Sequence, residues 1–271
     1  MVPQKLAMKN PKSDGSSLEK YFAKSALSLR ETLTKYLDDL DEKNAHDART
    51  TIRRLEASYL LLPKKIRQKR KVSEYLELCR QFFRANTNIR DSDIVGKKIT
   101  AYLSGSTQSD ILSAISRKRT SGLAATRKLG KELWEIDPQV LPENGISNAQ
   151  IKKRFHKVMT GLARSIRKDF SVALSDKSRV EKLHRVRKEA KMLRYVLEIA
   201  SPKNTSNLIS ELTKLQDVLG EIRDLDITLE YLQSVKRSEE IRNVIEKAAV
   251  DRDERFSDFA RAWKGGLSLP A

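Results

Sequence analysis

Apolar positions recur along this chain with a period near 3.6 residues, in long runs separated by short breaks. Phe22, Ala26, Leu29, Leu33 and Leu37 mark one stripe, Ile52, Leu55, Tyr59 and Leu62 the next, and Val186, Ala190, Leu193 and Leu197 a later one. The pattern predicts eight helices, over about 17–38, 45–62, 69–103, 108–136, 147–174, 178–200, 206–236 and 238–264. The seven prolines punctuate these runs rather than interrupt them. Pro63 follows the second helix, Pro202 the sixth, and Pro138 and Pro142 lie in the central break DPQVLPENGISN. Residues 1–14 read as a mobile tail ahead of one helical domain, 15–265, with halves at 15–137 and 146–265.

The two halves repeat each other. The stripe from Phe22 to Leu37 matches Phe155, Met159, Leu162, Ile166 and Phe170 at a constant offset of 133. A later segment, NIRDSDI at 88–94, matches EIRDLDI at 221–227 at the same offset. Between them HDARTTIRRLEASYLLL, starting at His46, matches HRVRKEAKMLRYVLEIA, starting at His184, at an offset of 138. The discrepancy enters in one connection and leaves in the next, where length changes cost little. The expected architecture is all-α: two four-helix bundles related by a pseudo-twofold axis, with their basic faces converging on a shared groove or channel.

Those basic faces come from the offset segment. At about 100° per residue, His46, Arg49 and Arg53 share an arc of one helix, as do His184, Arg187, Lys191 and Arg194. In each copy the apolar stripe occupies the adjacent arc, so a packed helix presents cations beside its buried face. A single copy would read as a solvated surface; recurrence of His, Arg and a second cation at the same spacing favours an anion site. Arginine suits phosphate because its planar fork donates paired hydrogen bonds and keeps its charge near neutrality. The histidines add donors, more strongly if a polyanion raises their pKa. Arg54 and Lys188 join as neighbouring cations. Where the second copy has Arg194 the first has Glu56, which is expected to hold a neighbouring arginine rather than meet phosphate.

Composition points the same way. Lys and Arg number 54 against 36 Asp and Glu, a formal net charge of +18. Such an excess attracts phosphate-rich partners without distinguishing nucleic acid, an anionic membrane surface or inorganic polyphosphate. No run approaches the roughly 20 apolar residues of a membrane span, and the N-terminus lacks the apolar core of a secretory signal. These features predict a soluble, cytoplasmic protein without membrane insertion; oligomeric state is not legible. Cys79 is the only cysteine and reads as a small buried hydrophobe.

Other candidate chemistry is weaker. In the repeated Arg90-Asp91-Ser-Asp93 and Arg223-Asp224-Leu-Asp226, carboxylates two residues apart on a helix point about 160° apart and cannot share one metal. One aspartate of each pair is expected to orient a residue of the basic face, with Arg90 and Arg223 joining the lining. His46-Asp47 lacks the further ligands a metal-dependent phosphohydrolase needs, and His156 reads as a structural histidine. No Gly-rich phosphate loop, HExxH or cysteine zinc spacing occurs, so neither metal nor cofactor is expected. The aromatics Tyr21, Phe22, Tyr75, Phe82, Phe83, Trp134 and Trp263 fall in apolar stripes, whereas Tyr195 projects toward the His184 side.

HRVRKEAKMLRY followed by LQDVLGEIRDLD resembles the CHAD domain, the conserved histidine α-helical domain; HDARTTIRRLEA and ANTNIRDSD are a weaker second copy, with Glu56 in place of Arg and no Gly. The similarity covers about 17–264. It implies an all-α double bundle whose positive channel binds inorganic polyphosphate and directs the protein to polyphosphate granules. Many relatives carry a fused triphosphate tunnel metalloenzyme domain, whose ExExK-type strands are missing here. The expectation is therefore a non-enzymatic polyphosphate binder using His46, Arg49, Arg53, Arg54, Arg90, His184, Arg187, Lys188, Lys191, Arg194 and Arg223. The alternative is a helical protein that binds nucleic acid through the same excess charge.

Overall fold

The computed structural model of the protein describes residues 17–138, 147–200, 205–236 and 238–269. The predicted tail at 1–14, Pro142 and Pro202 lie outside these residues. Within them the chain is helical, with nine helices and no strand: α1 (Ser17–Asp38), α2 (Glu42–Leu61), α3 (Lys64–Arg67), α4 (Arg70–Tyr102), α5 (Gly105–Glu135), α6 (Asn148–Ser175), α7 (Val180–Ala200), α8 (Ser206–Ser234) and α9 (Glu239–Ala262). Eight correspond to the predicted runs. The ninth, α3, is a single turn after Pro63, too short to carry a hydrophobic period.

Helix starts follow capping chemistry. Asp41 Oδ1 accepts from the Asn44 N–H at 2.6 Å, so α2 begins three residues before its apolar stripe suggests. Ser147 and Ser238 cap α6 and α9 in the same way. Gly130 marks a close approach: a Cβ there would lie 3.2 Å from the Phe82 ring and 3.3 Å from Leu37, so α5 seats tightly against α4 and α1.

Packing follows one cyclic order in each half. In the first, α1 packs on α2, α2 on α4, α4 on α5 and α5 on α1; in the second, α6, α7, α8 and α9 close the equivalent cycle. The halves meet where α2 packs on α7 and α4 on α8, leaving α1, α5, α6 and α9 outermost. The apolar core does not divide the same way. One cluster, around Phe22, Leu33, Ile52 and Phe82, recruits Val158, Tyr195 and Val196 from the second half. Another lies within the second half around Phe170, Leu193 and Phe259. A third joins Ile94, Ile99 and Ile115 to Ile227, Leu232 and Ile241 across the α4–α8 contact. Cores shared this way hold the four inner helices against one another, and their polar faces line what remains between them. Cys79 is fully buried in the first cluster, where burial pushes its thiol pKa up.

Candidate anion-binding pocket

Between α2, α4, α7 and α8 lies a pocket of about 440 Å³. It brings together His46, Arg49 and Arg53 from α2, Arg90 from α4, His184, Arg187, Lys188 and Lys191 from α7, and Arg223 from α8. Each α2 cation has an anchor. The Arg49 guanidinium donates to the Phe83 carbonyl at 2.8 Å and the Thr87 hydroxyl at 3.1 Å. Its central carbon sits 3.9 Å from the Phe83 ring centre and that of Arg53 sits 4.0 Å away, so both guanidiniums rest on this ring. Arg53 also donates to Glu56 at 2.7 Å, giving Glu56 the arginine-holding role its sequence position suggested.

Two residues on the sequence-derived set fall outside the pocket lining. Arg54 is exposed on α2, because its position on the helical wheel departs from the His46 face by about 80°. Arg194 turns toward α8, donating to the Thr213 hydroxyl at 3.4 Å and pairing with Glu198 at 3.5 Å, with its guanidinium over Tyr195. The two aspartates of each RD-x-D divide: Asp91 and Asp224 lie among the pocket arginines, as expected of one member, but without a close ion pair to them. The aspartates with close ion pairs are Asp93 and Asp226, and they face outward: Asp93 binds Arg119 of α5 at 2.7 Å and Asp226 binds Arg252 of α9 at 3.0 Å. They tie the inner helices to the outer ones rather than orienting pocket cations. Arg119 and Arg252 are themselves separated by the repeat offset, a match that would have revealed the pairing. Asp91 lines the pocket, and Asp224 Oδ1 is buried without a hydrogen-bond partner.

The structure adds lining residues that the repeat could not supply. Arg80 and Arg84 reach the pocket from α4, although the equivalent α8 positions are Thr213 and Asp217. Arg80 lies 3.6 Å from Glu56. The first half thus carries Glu56 with Arg80 where the second carries Arg194 with Thr213, which moves the cation from the α2 position to α4. Phe83, expected in an apolar stripe, is only partly buried and floors the pocket beneath Arg49 and Arg53. Thr87 and Gly220 are also equivalents: the threonine accepts from Arg49, while the glycine leaves Arg187 room to lie over the helix backbone. His156 is exposed on α6, away from the site.

Electrostatically the lining is one-sided, with nine Arg and Lys side chains against Glu56 and Asp91. Burial, followed by mutual repulsion, depresses five of the bases here. The His184 pKa is pushed down to about 4, first by burial and then by Arg223, Lys188, Arg187 and Arg53. Lys191 falls to about 8 by burial and then by Arg187 and Arg194, and His46 is lowered by burial and Lys191. Arg49 and Arg187 are lowered too, though a guanidinium keeps its proton near neutrality. Burial raises Asp91 and Asp224 against the pull of the surrounding arginines. His184 Nδ1 and Arg187 Nε are buried with no hydrogen-bond partner. The arrangement concentrates unspent donors and excess positive charge in a recess, a combination suited to an anion.

Among the described residues, no three His, Cys, Asp or Glu side chains cluster as a metal site, and no helix is long and apolar enough to cross a membrane. Thr50 Oγ1 lies 3.4 Å from His46 Nε2, and Asp47 pairs with Lys43 at 3.5 Å instead of orienting that ring.

Fold and pocket together define an all-helical domain with an internal basic recess. Residues 20–233 match the family profile of the CHAD domain. The chain belongs to the CHAD domain family. It is similar to the crystal structure of the CHAD domain from the plant Ricinus communis, with a TM-score of 0.68 and 16% sequence identity, over 99% of this chain and 97% of that one. No curated protein sequence gives a significant match.

Proposed function

We propose that this protein binds inorganic polyphosphate in the pocket between α2, α4, α7 and α8, without turning it over, and that the binding holds it at polyphosphate granules in the cytoplasm. The observation that carries the reading is the convergence of cations from four helices on a recess of about 440 Å³. A thin, flexible anion with charge on every repeat unit fits such a recess; a nucleic-acid duplex is too broad to enter it. Arg49, Arg53, Arg90, Arg187, Lys191 and Arg223 supply charge and forked donors, and His46 and His184 supply ring N–H groups. Binding without turnover is favoured because, among the described residues, the one hydroxyl–imidazole pair, Thr50 with His46, has no acid hydrogen-bonded to the ring, as an activated nucleophile requires.

The test is a titration with fluorescently labelled long-chain polyphosphate at fixed moderate salt. Arg187→Glu with Lys191→Glu should abolish most binding, while Lys64→Glu with Lys69→Glu, both exposed outside the pocket, should leave it within about twofold. Absence of binding by the wild-type protein, or equal losses in both variants with the helical signal intact, would overturn the assignment. Phosphate release from unlabelled polymer that disappears in His184→Ala would overturn the binding-only reading.

A further inference from the structure

A second basic surface lies on the outside of the molecule. Helix α6 spans 28 residues, and its single acidic residue, Asp169, is buried and bound by Lys182 and Arg185 of α7. Its outer face carries Lys152, Lys153, His156, Lys157, Arg164 and Lys168, all exposed. No carboxylate pairs with any of them among the described residues. They cover about 160° of the helix circumference and extend about 24 Å along its axis.

The repeat does not require this face. The α1 equivalents of Lys152 and Arg164 are Glu19 and Glu31, and His156 replaces Ala23, so α6 has exchanged a mixed surface for a uniformly basic one. None of these residues lines the pocket, and α6 takes part in neither the α2–α7 nor the α4–α8 contact that encloses it.

We propose that the outer face of α6 docks on B-form duplex DNA, independently of the pocket and without sequence preference. A convex helical ridge matches the major groove, which is about 12 Å wide and admits a helix between two phosphate rows. Hydrogen-bond donors at both edges of the arc, Lys152 and His156 on one side and Lys157 and Lys168 on the other, then face opposite strands. Lysines and one arginine aimed at phosphates position a protein but carry no sequence information. No aromatic side chain is exposed on α6, which disfavours stacking on single strands. The apolar side of α6 is spent on the core through Val158, Ile166 and Phe170, so the helix cannot lay it into a bilayer.

The experiment measures binding of the full chain to a short random-sequence duplex across a salt series. It compares Lys153→Glu/Lys157→Glu/Arg164→Glu with the pocket variant Arg187→Glu/Lys191→Glu. The α6 variant should lose about tenfold or more in duplex affinity and flatten the salt slope by about two to three, while polyphosphate binding stays within about twofold. The pocket variant should keep its duplex affinity. Unchanged duplex binding by the α6 variant overturns the proposal, as does loss of duplex binding in the pocket variant alone. Wild-type binding to anionic vesicles but not to duplex, removed by the α6 changes, assigns the face to a membrane surface and overturns it equally. Polyphosphate binding is read separately, so failure of the pocket assignment remains distinguishable.

Discussion

Lys191 shows what the pocket costs the empty protein. Its folded-state pKa of about 8 lies below its ordinary value of 10.5, chiefly because of burial. The unfolded chain therefore binds more protons between those values, stability rises with pH across that window, and below it the charged amine opposes folding. Lys191→Met should raise unliganded stability by on the order of 1–2 kcal/mol at pH 7 in phosphate-free buffer, and weaken polyphosphate binding. Denaturant melts paired with the titration check both signs; a less stable Lys191→Met protein would show that the amine supports the fold. His184 behaves alike in a lower window. With a folded pKa of about 4 against 6.5 unfolded, it withdraws stability as pH falls from 6.5 to 4, and it is neutral in the empty pocket at pH 7. Under the proposed function a bound polyanion would reverse the field at the ring, so binding should take up protons and affinity should rise as pH falls from 8 to about 6. Calorimetry in buffers of different ionisation enthalpy should detect that uptake, diminished in His184→Ala.

At the scale of helices, the partly buried pair Asp93–Arg119 and the more deeply buried pair Asp226–Arg252 clamp α4 to α5 and α8 to α9. Side chains of Asp226 and Arg252 are only 10% and 8% exposed, and burial raises the Asp226 pKa despite its partner. The ion pair is therefore no large net source of stability, yet losing one member strands the other. Asp226→Ala should cost about 3–5 kcal/mol, whereas a size-matched Asp226→Leu/Arg252→Met replacement should recover most of it. Urea unfolding measures both; an additive loss in the double variant would refute the clamp. The sequence repeat had placed RD-x-D near the basic face but not which aspartate faces which way. That depends on where α5 and α9 lie, because a residue on α4 can meet Arg119 or Arg49 according to the side each helix occupies.

For the molecule as a whole, a formal net charge of +18 and a recess in which nine Arg and Lys side chains face only Glu56 and Asp91 mean that an anion should relieve repulsion as well as add contacts. Polyphosphate at about a hundredfold excess over its dissociation constant should add about 2.7 kcal/mol of stability, a rise of roughly 5–10 °C in Tm for a chain of this size. Arg187→Glu/Lys191→Glu should abolish the shift. Thermal unfolding at constant ionic strength, with sodium chloride matched to the polymer's counterions, separates site binding from general screening. An equal shift in wild type and variant would assign the effect to diffuse charge.

The sequence by itself determined eight of the nine helices among the described residues, the repeat and the core of the basic face, since these follow from local periodicity: a helix that buries Ile52 and Leu55 necessarily turns Arg49 and Arg53 to one side. It also gave Glu56 its arginine-holding role, because position i+3 on a helix is a neighbour. Tertiary structure alone decided what meets across helices. Arg80 and Arg84 belong to the lining because α4 runs alongside α2, although the repeat offers no equivalent. Arg194 leaves the lining because Thr213 and Glu198 hold its guanidinium, and Phe83 serves as a floor because two arginines from another helix settle on it. Periodicity fixes the direction in which a side chain leaves its own helix; the partner it finds depends on how the other helices are placed.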